Sequence, residues 1–497
     1  MLAAVVFWLA YVTTALGVLL VALYGHASYK LSYWKRKGIP TPPTNLIFGN
    51  FKDTLTFRKP PGQVLRDIYE SANPDAPYIG FYIFHKPMLL LRSPDLIKQI
   101  MVKDFHIFPN RRFGGDGEKD SVGLINLLSI KHPKWKYLRT KLTPTLTGQK
   151  LRKMVPLMQD CGVPMINYIS NKSNEAGWKE FELKDLCSRY STDVISSLAF
   201  GITTNSFDEK DTDFWKAGQR VLTGLKRGII LLVHFFMPEL SGFLAPMAKK
   251  PAEFFRMVFW DSMNTRERVG NKRGDLIDSF LTLKNGEQNP EFKFEGDNLL
   301  AQAVAFYIAG FEATSTTTAF TLFELAHYPE YQTRVYEEIK RVIDSQGLTL
   351  ESINDMTYLD QVVNESLRLH PPLPLIDRIA EQEYEIQDTG LVLEKNIPVY
   401  VSINAINHDP KYFKNPEEFI PGREKSNDIL GASMAFGVGP RSCVGQRIGQ
   451  IITKMAVITI VLKYRLSYKL GNETSLNPLT VFTTAANGIY VQLEERK

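Results

Sequence analysis

The sequence predicts a mainly α-helical protein with small β-sheets, built as one large domain behind an N-terminal transmembrane helix. Three features carry that expectation. Residues 2–24 contain no charged side chain. Apolar residues recur at helical spacing through 156–170, 185–200, 297–327, 329–345 and 358–369. Short strand-like runs, APYIGFYIF and PMLLLRS, lie in the first hundred residues, and similar runs return near the C-terminus. The 497 residues are 44% hydrophobic, enough for a large core.

A helix over 2–24 rises about 34 Å, enough to cross the hydrocarbon core of a bilayer. Lys30, Lys35, Arg36 and Lys37 follow it and nothing basic precedes it, which places the bulk of the chain in the cytosol. A cleaved signal peptide would have a shorter apolar region, a basic start and a small-residue cleavage site. Residues 1–27 therefore read as an uncleaved anchor. Residues 28–45 read as a basic and proline-rich hinge, in which GIPTPPTN at 38–45 is a stiff, extended spacer. Residues 46–497 form the main domain.

The formal charge of +6 is spread along the chain, and no basic run or aromatic-interleaved patch points to nucleic acid. A basic face still suits an acidic protein partner or a membrane surface. Three cysteines (Cys161, Cys187, Cys443) are too few, and odd in number, for a disulfide framework, which fits a reducing compartment. The segment 224–247 is unusually apolar, but Pro238 and Gly242 interrupt it, so it is too short for a second span. Its ordinary reading is a core helix and loop.

Residues 436–445 read FGVGPRSCVG, and a predicted helix follows at once. The physical reading is a thiolate in a tight glycine-rich loop, aimed at a metal. A free thiol titrates at about pH 8.5, and a helix N-terminus, backbone N–H donors or a metal lower that greatly. Gly437, Gly439 and Gly445 let the backbone approach a flat ligand and take positive φ. Arg441 has a fork suited to a carboxylate such as a haem propionate. As a nucleotide loop the stretch fails, because Ser442 stands where GxGxxG needs its third glycine and no βαβ unit follows. Zinc would want further Cys or His ligands nearby. A buried, inert cysteine is the other reading.

This spacing resembles the haem-binding loop of the cytochrome P-450 family of haem-thiolate monooxygenases. The resemblance implies haem b as cofactor, Cys443 as the axial thiolate on iron, and Phe436, Gly437 and Gly445 beside it. A single Cys ligand pushes electron density onto the iron and favours O–O cleavage. It also implies the family fold, a cytochrome P-450-like single large domain, so that 46–497 is the haem-thiolate catalytic domain. For 224–247 it implies a membrane-dipping region over the substrate entrance, level with the core reading.

Other motifs follow in the family's order. Trp135-Lys-Tyr-Leu-Arg139 is in itself an ordinary amphipathic stretch; the resemblance implies that Trp135 and Arg139 join Arg441 on the propionates, with Arg111 and Arg378 as further contacts. Glu365-Ser-Leu-Arg368 is an i,i+3 pair, on a surface contributing about 0.2–0.5 kcal/mol. It resembles the family's buried E-x-x-R pair, whose third member here is Arg423 in Phe419-Ile-Pro-Gly-Arg-Glu424, where the usual flanking Glu and Phe are replaced.

The long helix near 297 carries a departure. Oxygen activation needs a small-residue gap beside the iron and an acid–alcohol pair that orders water and delivers protons. Ala309 and Gly310 supply the gap and Glu312 the acid. The resembled family usually has Thr directly after the acid, where this chain has Ala313; Thr314 lies about 100° further round. Three alternatives stand: Thr314 reaches the oxygen through local distortion, a water chain from Glu312 replaces the alcohol, or oxygen activation is weakened. Phe108, Phe113, Phe306, Leu373, Ile376, Phe482 and Thr483 are candidate pocket residues, whose apolar character suits a lipophilic substrate.

Within the family the chain resembles the microsomal members that insects use on foreign lipophilic compounds, through AGFEATSTTTAF and NESLRLHPP. The implied reaction inserts one oxygen atom of O2 into a lipophilic substrate, a xenobiotic or an endogenous lipid or hormone. The implied partners are NADPH–cytochrome P-450 reductase and cytochrome b5, docking near Lys134, Lys136 and Arg447, in the endoplasmic reticulum membrane with the domain facing the cytosol. Two other readings are a reductase-independent isomerase or dehydratase of hydroperoxides and a non-enzymatic haem-binding protein.

Overall fold

The computed structural model describes residues 1–115, 117–172, 178–210, 212–246, 249–387, 389–423, 430–468 and 475–496. Met247 and Glu424, at the ends of two segments discussed above, lie outside them.

The strand-like runs form small sheets that join distant parts of the chain. Tyr78–Ile83 pairs antiparallel with Lys86–Leu91, which pairs in parallel with Pro398–Ser402, which pairs antiparallel with Leu375–Ile379. Five of these twelve N-terminal positions are large aliphatic side chains that the sheet buries on both faces, as mixed and parallel strands require. A second sheet sets Trp178–Glu182 and Tyr464–Ser467 on either side of Tyr490–Glu495.

Helices make up most of the remainder. Gly296–His327 runs through the centre, with both Leu183–Ile195 and Gln446–Lys463 packed along it. Its TSTTTAFT run stays helical because the hydroxyls of Ser315, Thr317, Thr318 and Thr321 donate to carbonyls four residues back, at 2.6–2.8 Å, and so enter the core already satisfied. The helix expected at 156–170 is two, Gly148–Asp160 and Gly162–Asn171. Pro156 sits inside the first of them on its exposed face, where the carbonyl that its ring cannot bond is open to water.

The first helix spans Leu2–Leu31 and is the one described helix long and apolar enough to cross a membrane, with none of its most apolar 18 residues buried. The two parts of the hinge differ in structure. Helix continues to Leu31 and resumes over Tyr33–Arg36, and Trp34 is completely buried. Its indole N–H donates to the Phe81 carbonyl at 3.2 Å, its backbone N–H to the Tyr82 hydroxyl at 2.9 Å, and Gly80 leaves the space its ring fills. The basic half of 28–45 is thus stapled to the first sheet, and only 39–44 run extended.

The apolar segment 224–247 divides in two. Leu225–Phe236 is a helix that buries Ile230, Leu231, Leu232, Val233, Phe235 and Phe236 in the core. The turn Pro238–Phe243 then exposes Leu240 and, at 87%, Phe243.

Candidate haem site

The loop at 436–445 closes on itself before the helix Gln446–Lys463 begins. The Cys443 N–H donates to the Phe436 carbonyl at 2.7 Å, and the Ser442 N–H to the Gly439 carbonyl at 2.9 Å. Gly437 and Gly439 take φ of +82° and +77°, and a Cβ at Gly439 would lie 2.1 Å from the Met101 carbonyl oxygen. Gly445 differs from expectation: its φ is −90° and it serves as N-cap of the following helix. The Cys443 thiol is accessible, although enough protein surrounds it that desolvation pushes its pKa up, so it lines an internal recess. The Gly445 N–H and the guanidiniums of Arg111 and Arg139 act in the opposite direction.

Four arginines converge on this loop. Arg111 donates to the Arg441 carbonyl at 2.8 Å and Arg139 to the Ser442 carbonyl at 2.7 Å. Arg378, fully buried, reaches the Val438 carbonyl at 3.4 Å. Arg441 donates to the Pro109 carbonyl, the Asn110 side chain and the Ile130 carbonyl, and its guanidinium stacks 4.2 Å from the Trp135 ring centre. Lys131, which the sequence reading missed, joins them by donating to the Phe113 carbonyl at 2.9 Å.

These crowded cations, of which Arg378 and Arg441 are buried and Lys131 is exposed, repel one another. Desolvation, then the charges of Arg111 and Arg378, bring Arg441 down to about 8; desolvation and Arg111 bring Arg378 to about 9, and desolvation brings Lys131 to about 8. Asp377 is the acid that counters them, and its carboxylate also accepts from the Arg112 N–H. Nε of Arg111, Nε of Arg378 and Nη1 of Arg441 are buried without a hydrogen-bond partner among the described residues. A cluster with surplus charge and unused donors fits a planar group carrying carboxylates, as haem does.

The central helix presents a second accessible face. Ala309 is exposed although it lies mid-helix, and Ala305, Ile308 and Ala313 are partly exposed on the same side. Two expectations change here. Gly310 provides no opening: a Cβ there would meet Ile195 Cδ1 at 2.5 Å, so the glycine serves close packing of the two helices. Thr314 is buried, with its hydroxyl bonded to the Gly310 carbonyl and to the Ser191 hydroxyl at 2.9 Å, which turns it toward Leu183–Ile195. Glu312 is buried and paired with Lys184 Nζ at 3.0 Å, a partner with no motif to announce it.

Behind the loop, Arg368 donates twice to Glu365 (2.9 and 2.8 Å) and to the carbonyls of Asn407, Pro416 and Glu418. Arg423 completes the network with a 3.1 Å bond to Glu365. The loss of the flanking Glu and Phe is absorbed by backbone carbonyls, since Arg423 also bonds those of Lys414, Asn415 and Glu418.

Among the pocket candidates, Phe306, Leu373 and Phe482 are partly accessible. Phe108 is wholly buried edge-on to Tyr384, Phe113 packs on Phe235 at 4.6 Å, and Ile376 is buried in strand Leu375–Ile379, so these three belong to the core. The Thr483 hydroxyl is occupied by the Pro371 carbonyl. Lys134, Lys136 and Arg447 are exposed.

A family model described as cytochrome P450 matches residues 39–493. Similar proteins include cytochrome P450 6k1 of Blattella germanica, 37% identical with 90% of each chain covered. Probable cytochrome P450 6g2 of Drosophila melanogaster is 34% identical over 97% of each, and cytochrome P450 6j1 of Blattella germanica 34% identical over 95% of each.

Proposed function

Since this chain belongs to the cytochrome P450 family and is a haem monooxygenase, we propose that it is membrane-tethered, takes electrons from NADPH through a separate flavoprotein reductase, and oxygenates lipophilic substrates. The observation that carries the site assignment is the cluster of Arg111, Arg139, Arg378 and Arg441 around the Cys443 loop, with unused buried donors. When bound, haem would supply the dioxygen-activating iron, made electron-rich by a thiolate ligand. Cys443 is that ligand. Trp135, Arg139, Arg441, Arg111 and Arg378 hold the carboxylates, and Trp135 fixes the Arg441 plane by stacking.

The accessible stripe of Ala305, Ala309 and Ala313 is, on this reading, the side of the central helix that small molecules approach. Glu312, one turn from Ala309, holds and passes protons at its carboxylate. Ala313 carries no hydroxyl, so water ordered from Glu312 stands in for the alcohol. Phe306, Leu373 and Phe482 are the apolar contacts for substrate.

The helix Leu2–Leu31 spans the endoplasmic reticulum membrane with the main domain in the cytosol. Exposed Leu240 and Phe243 rest in the same bilayer. Lys134, Lys136 and Arg447 dock the reductase, and cytochrome b5 competes for that face. The test is a substrate screen of the full-length protein with reductase, NADPH and O2, read as product per NADPH. Reversing the charge of Lys134, Lys136 and Arg447 should slow reduction in a salt-sensitive way; turnover with hydroperoxide alone and none with reductase would refute the reading.

A further inference from the structure

The Glu312 carboxylate is not paired with a residue of its own helix alone. Lys184, at the start of Leu183–Ile195, reaches across with its ammonium and donates to Glu312 Oε1 at 3.0 Å, to the Glu312 carbonyl at 3.3 Å, to the Ser315 hydroxyl at 2.7 Å and to the Thr316 hydroxyl at 2.8 Å. Its side chain is 20% exposed against 9% for Glu312, so it bridges a wetter place and a drier one. That wetter place is a cavity of about 120 Å³ walled by Lys184, Thr316, Phe320, Thr483, Thr484 and Ile489. The volume admits several waters, and its hydroxyls offer them partners. The Thr484 and Thr316 hydroxyls stand 3.5 and 3.4 Å from Glu312 Oε1, at the inner end. Glu182, the other acid of the wall, is committed to the N–H groups of Lys184, Asp185 and Ile489.

We propose that Lys184 is a positioning residue for proton supply: protons enter from solvent through this cavity, between the helix Leu183–Ile195 and the 483–489 loop, and Lys184 holds Glu312 at its inner end as an oriented, ionised acceptor. The inference rests on Glu312 acting as the acid. One proton moves from bulk water along cavity waters to the Glu312 carboxylate; only O–H bonds break and form, and no electron is transferred. The ammonium keeps its charge throughout. The path enters beside Lys184, Thr316 and Thr484 and uses no side chain at 313.

The test uses full-length, haem-loaded protein and two readouts. Infrared difference spectra of the resting protein at neutral pH, with Glu312→Gln identifying the band, report the Glu312 carboxyl. Product per NADPH and its solvent isotope effect report proton delivery. Lys184→Met is expected to move the Glu312 signal to a protonated carboxyl, lower product per NADPH several-fold and enlarge the isotope effect. Lys184→Arg should restore all three. Thr484→Val, which leaves the ion pair intact, should change coupling and isotope effect in the same direction, and serves if Lys184→Met does not load haem. An unmoved carboxyl band with unchanged coupling in Lys184→Met, or unchanged coupling in Thr484→Val, overturns the inference. If Glu312→Gln itself leaves coupling and isotope effect unchanged, it is the assignment of Glu312 that fails.

Discussion

Replacing Arg368 with alanine should remove the network that backs the Cys443 loop. Arg368 is 2% exposed and makes five hydrogen bonds, two to Glu365 and three to carbonyls. Arg423 would still reach Glu365 and the Glu418 carbonyl, but the carbonyls of Asn407 and Pro416 would lose this partner. Breaking a buried ion pair costs about 3–5 kcal/mol and each orphaned buried acceptor about 1–3, so the low end is about 5 kcal/mol. Whole domains are stable by only about 5–15 kcal/mol, so the variant should fail to hold haem. Arg423→Ala leaves both Arg368–Glu365 bonds in place and should cost about 1–2 kcal/mol. Glu365→Ala with Arg368→Ala should cost less than the two single changes together, because the Glu365–Arg368 interaction is then lost once rather than counted twice. Haem content per chain and the urea midpoint decide the matter. A haem-loaded Arg368→Ala protein with an unchanged midpoint would refute the reasoning.

Gly310→Ala should destabilise by about 1–3 kcal/mol through the collision with Ile195, and pairing it with Ile195→Ala should cost less than the sum, measured by thermal unfolding. Thr314→Ala should lose about 1 kcal/mol for its hydroxyl bonds yet leave peroxide release unchanged, whereas Ala313→Thr, on the accessible face, should alter it. The turn that carries Leu240 and Phe243 is held by Arg112 and Lys86 on Glu239; burial pushes that carboxyl up, but the two cations outweigh it and bring it down to about 2. A depressed carboxyl stabilises above its unfolded value, about 4.5, and the contribution is lost as pH falls toward 2. Glu239→Gln should therefore lower the unfolding midpoint at pH 7 and have a much smaller effect at pH 2; an equal effect at both would contradict the assignment.

Much of the architecture was legible because it rests on periodicity and length: the apolar N-terminal helix, the long central helix and the strand runs at both ends of the chain follow from which positions are apolar. The Cys loop was legible because a tight turn constrains residue types locally, as Gly437 and Gly439 show. What escaped was decided by neighbours distant in sequence. Gly310 reads as a gap until Ile195, over a hundred residues earlier, fills it. Thr314 reads as a reaching alcohol until Ser191 and the Gly310 carbonyl claim its hydroxyl. Lys184 and Lys131 belong to no motif, and only packing brings them to Glu312 and the arginine cluster. The placing of the basic half of the hinge was hidden for a similar reason: nothing local marks that one indole, Trp34, fills a slot over Gly80.

X-ray absorption at the iron edge of the haem-loaded, full-length protein tests the central claim most directly. The account predicts one sulfur scatterer on iron in the native chain and none in Cys443→Ser, since Cys187 is buried and Cys161 is held by the Leu157 carbonyl, away from the loop. An iron with only nitrogen and oxygen neighbours in the native chain, or a sulfur neighbour that survives Cys443→Ser, would contradict it.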